Sequence, residues 1–485
     1  MKCDEEKPHC RRCTGSGREC EGYPQGRQSA PTSVDASPEP HAVLFASPAE
    51  RRSFFYFQSQ ACKPLGGYFN SSFWGREVLQ AAIHYPPVRH LVIAIGSAYE
   101  AFETGTLGKE TAFTLQQCNQ SIRQLTVIGR ATDLPSAEAT SCILTASLLF
   151  IYLASIRGNL AEAFQHVRSA AKLLQDFERS TALAQKPDSA ATPGYPVPIP
   201  RLRSLLAAIY GQLRGIVNDT YLEAGSPDIL VTDVKPATVF PSIQDAHSYV
   251  ETLLNNTMAY LQASEYLSSS SPDALQETVA RHRKLCEALE SSQNALDVLA
   301  RTLPETGDSP DREGTAILRV YHLMIAIWLR IDIFRPGERE TVYDNWEAHY
   351  EEMLRHCEFV VKKQQESRSP YSCSSGLGYI RPLHMVAARC RNSRLRWRAT
   401  ELLISCTRRE GLWDAKLAGQ IAAQTIRLEE QAANSLVTDN LKVPADKRIR
   451  EVKFELQGEK AAVVRFITVD DWKKSRPGLQ KAIEF

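Results

Sequence analysis

The chain has 485 residues, with 57 basic and 56 acidic side chains and a formal net charge of +1. This balance excludes a chain-wide field that would draw the protein to nucleic acid or to a membrane. The longest apolar run, Cys142 to Ala154, is too short to span a bilayer and predicts a buried helix. We therefore expect a soluble intracellular protein, with no membrane partner, that forms two or three domains or one large helical domain.

Four cysteines lie within the first twenty residues, namely Cys3, Cys10, Cys13 and Cys20, with the spacing C-x6-C-x2-C-x6-C. The residues between them are mostly polar and turn-prone, so packing cannot order this segment, whereas thiolate–zinc bonds can. A disulfide framework is the alternative, but no apolar stretch of a signal peptide precedes the cysteines. The spacing therefore predicts a zinc site formed by these four residues.

The other cysteines are scattered through the chain and fit a simpler interpretation as small buried apolar residues in helices. Cys373 is the exception, because its Ser-rich surroundings predict an exposed loop thiol. Those predicted to be buried are Cys62, Cys118, Cys142, Cys286, Cys357, Cys390 and Cys406.

The segment KCDEEKPHCRRCTGSGRECEGYP resembles the second half of the binuclear zinc-cluster DNA-binding domain of fungal transcription regulators. That domain holds two zinc ions with six cysteines, and the four cysteines of this chain match its third to sixth. Further matches are Asp4, Lys7 and Pro8 in the linker and Gly17, Gly22 and Tyr23 at the end.

The first CxxC of the family, with the basic run that follows it, has no counterpart here except Lys2. The resemblance thus implies an N-terminally truncated cluster, in which Cys10 is one bridging thiolate, its counterpart is absent and a single zinc site can close. The missing segment is the one that enters the major groove in the family. Since Met1 to Arg27 carry six basic and five acidic residues, we expect weak DNA binding, with Lys2 as a weak contact.

Proline, serine, glutamine and alanine dominate residues Tyr23 to Pro48, which predicts a flexible linker without a coiled-coil repeat. From Ala49 onward, apolar residues recur at spacings of three and four, which indicates helices, and a Pro-rich break at Gln185 to Pro200 predicts a loop. Helices are predicted at 50–65, 73–85, 88–103, 109–130, 136–155, 158–179, 202–216, 242–267, 273–303, 315–334, 342–365, 379–391, 393–408 and 415–434.

The C-terminal stretch VKFELQGEKAAVVRFITV alternates apolar and polar residues around Gly458 and predicts a β-hairpin. The fold predicted for the whole chain is mostly α, an irregular helical bundle or superhelix. The predicted domains are a partial zinc cluster at 1–27, a disordered linker at 28–48, a helical regulatory domain at 49–440 and a tail at 441–485.

Three helical segments extend the resemblance to the regulatory domain of fungal zinc-cluster regulators. They are RPLHMVAARCRNSRLRWRATELLISCTRREGLWDA, FWGREVLQAAIHYPPVRHLVIAIGSAYEAFE and AFQHVRSAAKLL, within Phe54 to Glu430. The resemblance implies an all-α domain without catalytic chemistry, so an enzyme is not expected. It also implies a nuclear location and contacts with the transcription machinery or regulatory proteins.

Five arginines lie close together at Arg389, Arg391, Arg394, Arg396 and Arg398. They could contact phosphate groups, but acidic residues nearby in the sequence favour structural ion pairs. The expected acidic partners are Glu401, Glu410 and Asp414. The spacing of Arg391, Arg394 and Arg398 predicts that these three share one helical face. Single histidines on helices, at His282, His322, His356 and His384, are predicted to be packed or surface residues rather than metal ligands.

Two functions remain open. The favoured one is a zinc-binding, sequence-specific DNA-binding regulator of RNA polymerase II transcription, with a half-site that is incomplete in this sequence. The alternative is a helical regulatory or interaction protein that derives from such a factor and no longer binds DNA. The salt dependence of DNA binding distinguishes the two.

Overall fold

The computed structural model describes residues 15–17, 44–69, 71–106, 112–130, 136–183, 195–216, 231–264, 272–303, 310–331, 338–366, 371–434, 443–457 and 461–484. The chain divides into two compact units, Met1–Ser47 and Pro48–Phe485. In the first unit only residues 15–17 and 44–47 are described, so the architecture below is that of the second unit.

The second unit is mostly α-helical, as the sequence predicts. Two π-helical turns, Phe57–Ala61 and Phe73–Glu77, and a 3-10 turn, Tyr343–Trp346, interrupt the helices. The helices of the first half are α1 (Pro48–Tyr56), α2 (Cys62–Gly66), α3 (Val78–His84), α4 (Pro86–Glu103), α5 (Ala112–Arg130), α6 (Ala137–Arg157), α7 (Leu160–Leu183) and α8 (Ile199–Ile216). Those of the second half are α9 (Ile243–Ser264), α10 (Pro272–Thr302), α11 (Pro310–Leu329), α12 (Arg339–Val342), α13 (Glu347–Gln365), α14 (Ile380–Arg389), α15 (Ser393–Ser405), α16 (Ala415–Asn434) and α17 (Val469–Lys473).

Helix α4 is the centre of the N-terminal half of this unit. Prolines in its first turn suit a helix start, because the missing N–H group would have no helical partner there. The helix packs against α1, α3, α5 and α6, so Ile93 and Ala94 are buried as well as its main apolar stripe. The buried stripe consists of Val88, Leu91, Val92, Ile95, Tyr99 and Phe102.

Helix α6 contains the longest apolar run of the sequence. Its length and composition would suffice to cross a membrane, but 83% of its apolar window is buried inside the protein. Ser136 caps its N-terminus by accepting a hydrogen bond from the Ala139 backbone N–H, and Gly158 ends it in the left-handed conformation. The prediction of a buried core helix is confirmed.

Gly96 lies where α1 crosses α4. A Cβ atom at this position would lie 2.0 Å from the Ser53 carbonyl oxygen and 3.2 Å from the Phe57 Cβ. We expect Gly96→Ala to lower the free energy of unfolding by about 1–3 kcal/mol, because the two helices must move apart. Urea unfolding measures this, and Gly75→Ala is the matched control because nothing lies within 4 Å of its added Cβ. An unchanged G96A midpoint would contradict this packing.

A second core occupies the C-terminal half and joins α9, α10, α11, α13, α14, α15 and α16. Three tyrosines, Tyr321, Tyr350 and Tyr379, are almost fully buried within it. The core therefore combines stripes from helices that are far apart in the sequence, which gives the irregular bundle that was expected.

A small three-stranded sheet, which the sequence analysis missed, lies between these helices. Strand β1 (Tyr371–Ser374) pairs in parallel with β2 (Thr407–Glu410), and β2 pairs antiparallel with β3 (Trp413–Asp414). The helix predicted at 393–408 therefore ends early, at Ser405. The prediction for Cys373 was also wrong, because this residue is in β1 and only 2% exposed.

The C-terminal tail forms a second, antiparallel sheet in the order β4 (Ile449–Leu456), β5 (Ala461–Thr468) and β6 (Leu479–Glu484). The predicted hairpin is confirmed as β4 and β5, whereas β6 was not predicted; Gly458 lies outside the described residues. The Arg448 guanidinium binds both Asp344 carboxylate oxygens at 2.8 and 2.9 Å. The sheet is therefore attached to the helices by a bidentate ion pair.

Candidate functional site

The predicted zinc ligands Cys3, Cys10, Cys13 and Cys20, together with Lys2, lie outside the described residues. Their chemistry fits zinc, since four cysteine thiolates make up the ligand set of many tetrahedral structural sites. Within the part of the chain that the structure describes, no group of three or more His, Cys, Asp or Glu side chains could hold a metal ion.

The cysteines of the helical unit lie in a different environment. Six of the eight are buried, and Cys286 and Cys406 are half-buried. Burial raises the pKa of the Cys62, Cys142 and Cys373 thiols to about 12. These thiols stay protonated at neutral pH, which makes them poor metal ligands and nucleophiles.

Three of the five clustered arginines form interior ion pairs. Arg389 Nη1 lies 2.5 Å from Glu340 Oε2, and Arg391 Nη1 and Arg396 Nη2 lie 2.7 and 2.6 Å from Glu429 Oε2. Glu340 and Glu429 are 1% and 0% exposed, so these guanidinium groups are occupied. The structural interpretation is confirmed for these three arginines, whereas Arg394 and Arg398 are exposed.

The expected partners of these arginines were only partly right. Glu401 lies 3.6 Å from Arg398, but Glu410 and Asp414 pair with Arg408 and Arg409 instead. The shared helical face was also wrong, because Arg391 precedes the first residue of α15.

Glu429 on α16 is held by three donors, since its Oε1 also accepts the Ile449 backbone N–H at 2.8 Å. Burial by itself raises the pKa of this carboxyl group, but the charges of Arg391 and Arg396 outweigh burial and hold the pKa below its ordinary value. Glu429 thus stays ionised and joins α15 and α16 to strand β4.

Glu410 at the end of β2 caps helix α14. Its two carboxylate oxygens accept the backbone N–H groups of Tyr379 and Ile380 at 3.0 and 2.9 Å, and Arg408 Nε donates to it at 2.5 Å. Gly378 leaves room for this carboxylate, since a Cβ there would lie 1.9 Å from Glu410 Oε1. A carboxylate at a helix N-terminus is favourable because the first N–H groups lack helical partners.

A cavity of about 290 Å³ lies between α14, α16 and strand β4. One face of α14 lines it at spacings of three and four, and α16 adds a mainly apolar wall of Leu417, Ala418 and Ile421. Six basic and two acidic residues line the cavity, so it favours anions. The basic residues are Arg214, Arg339, Arg381, Arg389, Arg450 and Lys453, and the acidic ones are Asp414 and Glu451.

Arg381, on the cavity face of α14, is only 5% exposed. Among the described residues no carboxylate pairs with it, and its Nη1 atom has no hydrogen-bond partner. Its guanidinium carbon lies 5.2 Å from the Trp328 ring centroid. Burial lowers the pKa of Arg381 to about 10, so the side chain remains charged at neutral pH.

Two further polar groups, on His384 and Trp413, line the same cavity, and their ring centroids lie 5.6 Å apart. The His384 Nδ1–H donates to the Ala418 carbonyl oxygen at 3.1 Å, and burial lowers the pKa of His384 to about 4, so the ring is neutral. The buried Trp413 Nε1–H has no partner among the described residues. Sequence analysis placed His384 on a helix but missed Arg381 and Trp413, since no local pattern marks an arginine that lacks a counter-ion.

The N-terminal segment is similar to a known family of domains. Residues 1–30 match the profile of the fungal Zn(2)-Cys(6) binuclear cluster domain, and this range contains all four predicted zinc ligands. Residues 1–30 thus carry a zinc-cluster domain of the fungal Zn(2)-Cys(6) type. The cluster domain of this regulator binds zinc.

Curated relatives extend the similarity to the helical unit. The aspercryptin biosynthesis cluster-specific transcription regulator of Emericella nidulans is 22% identical to this regulator over 89% of this chain and 86% of its own. Transcription regulator lscL of Purpureocillium lilacinum is 27% identical over 38% of this chain and 48% of its own. An uncharacterized transcriptional regulatory protein of Schizosaccharomyces pombe is 33% identical over 20% and 22%. No solved structure matches.

Proposed function

We propose that this regulator acts in the nucleus by binding DNA through its N-terminal segment, where Cys3, Cys10, Cys13 and Cys20 hold zinc. The observation that carries the proposal is the match of residues 1–30 to the zinc-cluster profile. When bound, zinc supplies the tetrahedral bonds that order this polar segment. The cysteine thiolates hold it, and Lys2 is a weak phosphate contact.

The proposed organisation has a partial zinc cluster at 1–27, a linker at 28–48, a helical regulatory domain at 49–440 and a C-terminal tail at 441–485. Support comes from the division of the chain into compact units at Ser47. The helical domain is assigned contacts with regulatory proteins or the transcription machinery and no catalytic step. Its relatives are named as transcription regulators, which supports this assignment.

A specific observation favours the alternative of a helical regulator that does not bind DNA. Residues Met1 to Arg27 carry six basic and five acidic side chains, so this segment has almost no net charge. Counterion release from phosphates supplies most of the non-specific affinity of a protein for DNA. A segment with so little net charge therefore contributes little affinity for DNA by itself. The salt dependence of binding by the full chain to DNA duplexes of selected sequence separates the two functions.

We expect Cys10→Ser in the full chain to reduce bound zinc from about one ion to nearly none, because one thiolate of the tetrahedral set is lost. The midpoint of thermal unfolding of the helical unit should stay unchanged. Cys286→Ser is the matched control, since Cys286 is a half-buried thiol 3.7 Å from His282 Nε2 in the helical unit. Elemental analysis and calorimetry measure the two quantities.

The same variants test DNA binding. A DNA-binding regulator should show a plot of log affinity against log salt concentration with a slope of several negative units, which C10S should flatten. A slope near zero in the wild type would instead support the alternative function. Equal zinc contents of the wild type and C10S would contradict the proposed ligands.

A further inference from the structure

The cavity between α14, α16 and β4 contains a buried guanidinium group, that of Arg381, with which no carboxylate of the described residues pairs. Buried charged groups in proteins are normally paired, because removing a charge from water without compensation is costly. Arg389, Arg391 and Arg396 of the same unit follow that rule. Arg381 is an exception, because its Nη1 atom has no hydrogen-bond partner among the described residues.

The hydrogen-bond donors that line the cavity indicate which chemical group of a ligand would pair with Arg381. A guanidinium group is planar and binds the two oxygens of a carboxylate well. Arg381 Nη1 and the Trp413 Nε1–H are two donors without partners in the described part of the chain. Two donors suit a carboxylate better than a phosphate dianion, which offers three oxygens and a second charge.

The remaining lining of the cavity near Arg381 is mainly apolar and suits an apolar part of a ligand. Met385, Ala388, Leu417 and Ile421 line the cavity beside Arg381, and the Trp328 ring lies next to the guanidinium group. Small-molecule sites typically combine mostly apolar walls with a few convergent polar groups in cavities of about 300–1,000 Å³. A volume of about 290 Å³ limits the occupant to a small molecule.

We propose that this cavity binds a small organic carboxylate with an apolar body, whose carboxylate pairs with Arg381 and bonds to the Trp413 Nε1–H. His384 Nε2, the acceptor nitrogen of the neutral ring, is available to a hydroxyl group of the ligand. This site belongs to the helical unit alone. Its existence therefore depends neither on zinc nor on DNA binding.

Calorimetric titration of the full chain tests the proposal. The probes are benzoate, 1-naphthoate and octanoate, each compared with its primary amide, and inorganic phosphate. At least one carboxylate should bind, and its amide should bind roughly 30-fold more weakly or not at all, because only the acid brings a counter-charge. Arg381→Gln should weaken binding of the carboxylate by a similar factor and leave binding of the amide unchanged. Arg394→Gln is the control, since that side chain is 79% exposed.

Unfolding without any ligand provides a second measurement. Arg381→Met removes an uncompensated buried charge and keeps an apolar side chain against Trp328, so the thermal midpoint should rise by roughly 1–3 °C. A lower midpoint would show that the chain itself pairs with Arg381 and would overturn the proposal. So would the absence of carboxylate binding, equal binding by wild type and R381Q, or tighter Arg381-dependent binding of phosphate than of every carboxylate.

Discussion

Replacing Glu429 by glutamine is expected to lower the free energy of unfolding of the helical unit by about 3–5 kcal/mol. The carboxylate is fully buried and accepts hydrogen bonds from Arg391, Arg396 and the Ile449 backbone N–H. Glutamine keeps the volume but loses the charge, and it leaves the buried Arg396 guanidinium without a counter-charge. Breaking one side of a buried ion pair is much more costly than losing a surface pair.

The loss should depend on pH in a defined direction. The pKa of Glu429 in the folded protein is below its ordinary value, so its ionised form stabilises the fold fully above the unfolded-state pKa of about 4.3. This contribution disappears as the pH falls through the lowered folded-state pKa. The difference between wild type and E429Q should therefore be constant at pH 5–7 and shrink below about pH 4.

Urea unfolding at pH 7 and at pH 3.5 measures both effects. Glu430→Gln is the matched control, because the neighbouring carboxylate accepts an exposed hydrogen bond from Ser393 Oγ rather than a buried ion pair among the described residues. That variant should change the unfolding free energy by less than about 0.5 kcal/mol. An E429Q variant as stable as E430Q would show that the buried network does not hold the sheet to the helices.

Glu410→Gln is expected to have a similarly large effect, also about 3–5 kcal/mol. The carboxylate accepts hydrogen bonds from the backbone N–H groups of Tyr379 and Ile380 at the start of α14 and from the Arg408 Nε–H. Burial lowers the pKa of Arg408, but the adjacent Glu410 charge outweighs burial and raises it. Glutamine offers one acceptor oxygen instead of two and leaves Arg408, which is 5% exposed, with an unpaired charge.

Hydrogen exchange localises this effect. In E410Q the amides of Tyr379 and Ile380 should exchange faster than in the wild type, since their acceptor is weakened. Glu401→Gln removes an exposed partner of Arg398 and should leave both the exchange rates and the midpoint nearly unchanged. Protection of Tyr379 and Ile380 that survives in E410Q would contradict the assignment of Glu410 as the cap of α14.

The β1–β3 sheet shows where prediction from local sequence failed. The helix predicted at 393–408 extended into Thr407 and Arg408, the first two residues of β2, and Ser-rich residues around Cys373 suggested an exposed loop. Pairing between these two segments joins residues more than thirty positions apart, and Arg408 bonds to the Ser372 and Ser374 hydroxyls. No periodicity within either segment records that contact, and tertiary context overrides local propensity in such cases.

Local patterns were nevertheless sufficient for much of the molecule. Apolar spacing located helices α4 and α7 and the full extent of α16, because a 3.6-residue repeat depends only on neighbours along the chain. Alternation in the tail identified the β4–β5 hairpin in the same way. Cysteine spacing pointed to the zinc cluster, because metal ligands in a short segment leave a spacing that survives without any packed core.

Ionic partners and the cavity depended on the tertiary structure. Arginine density at 389–398 indicated ion pairs, but Glu340 and Glu429 lie on α12 and α16, and only the packing of these helices brings them to Arg389 and Arg396. Arg381 differs from its neighbours because no described carboxylate reaches it, a property of the surrounding helices and β4 rather than of α14. Local periodicity is carried by the sequence of each helix, whereas the presence or absence of a counter-charge is settled by long-range contacts.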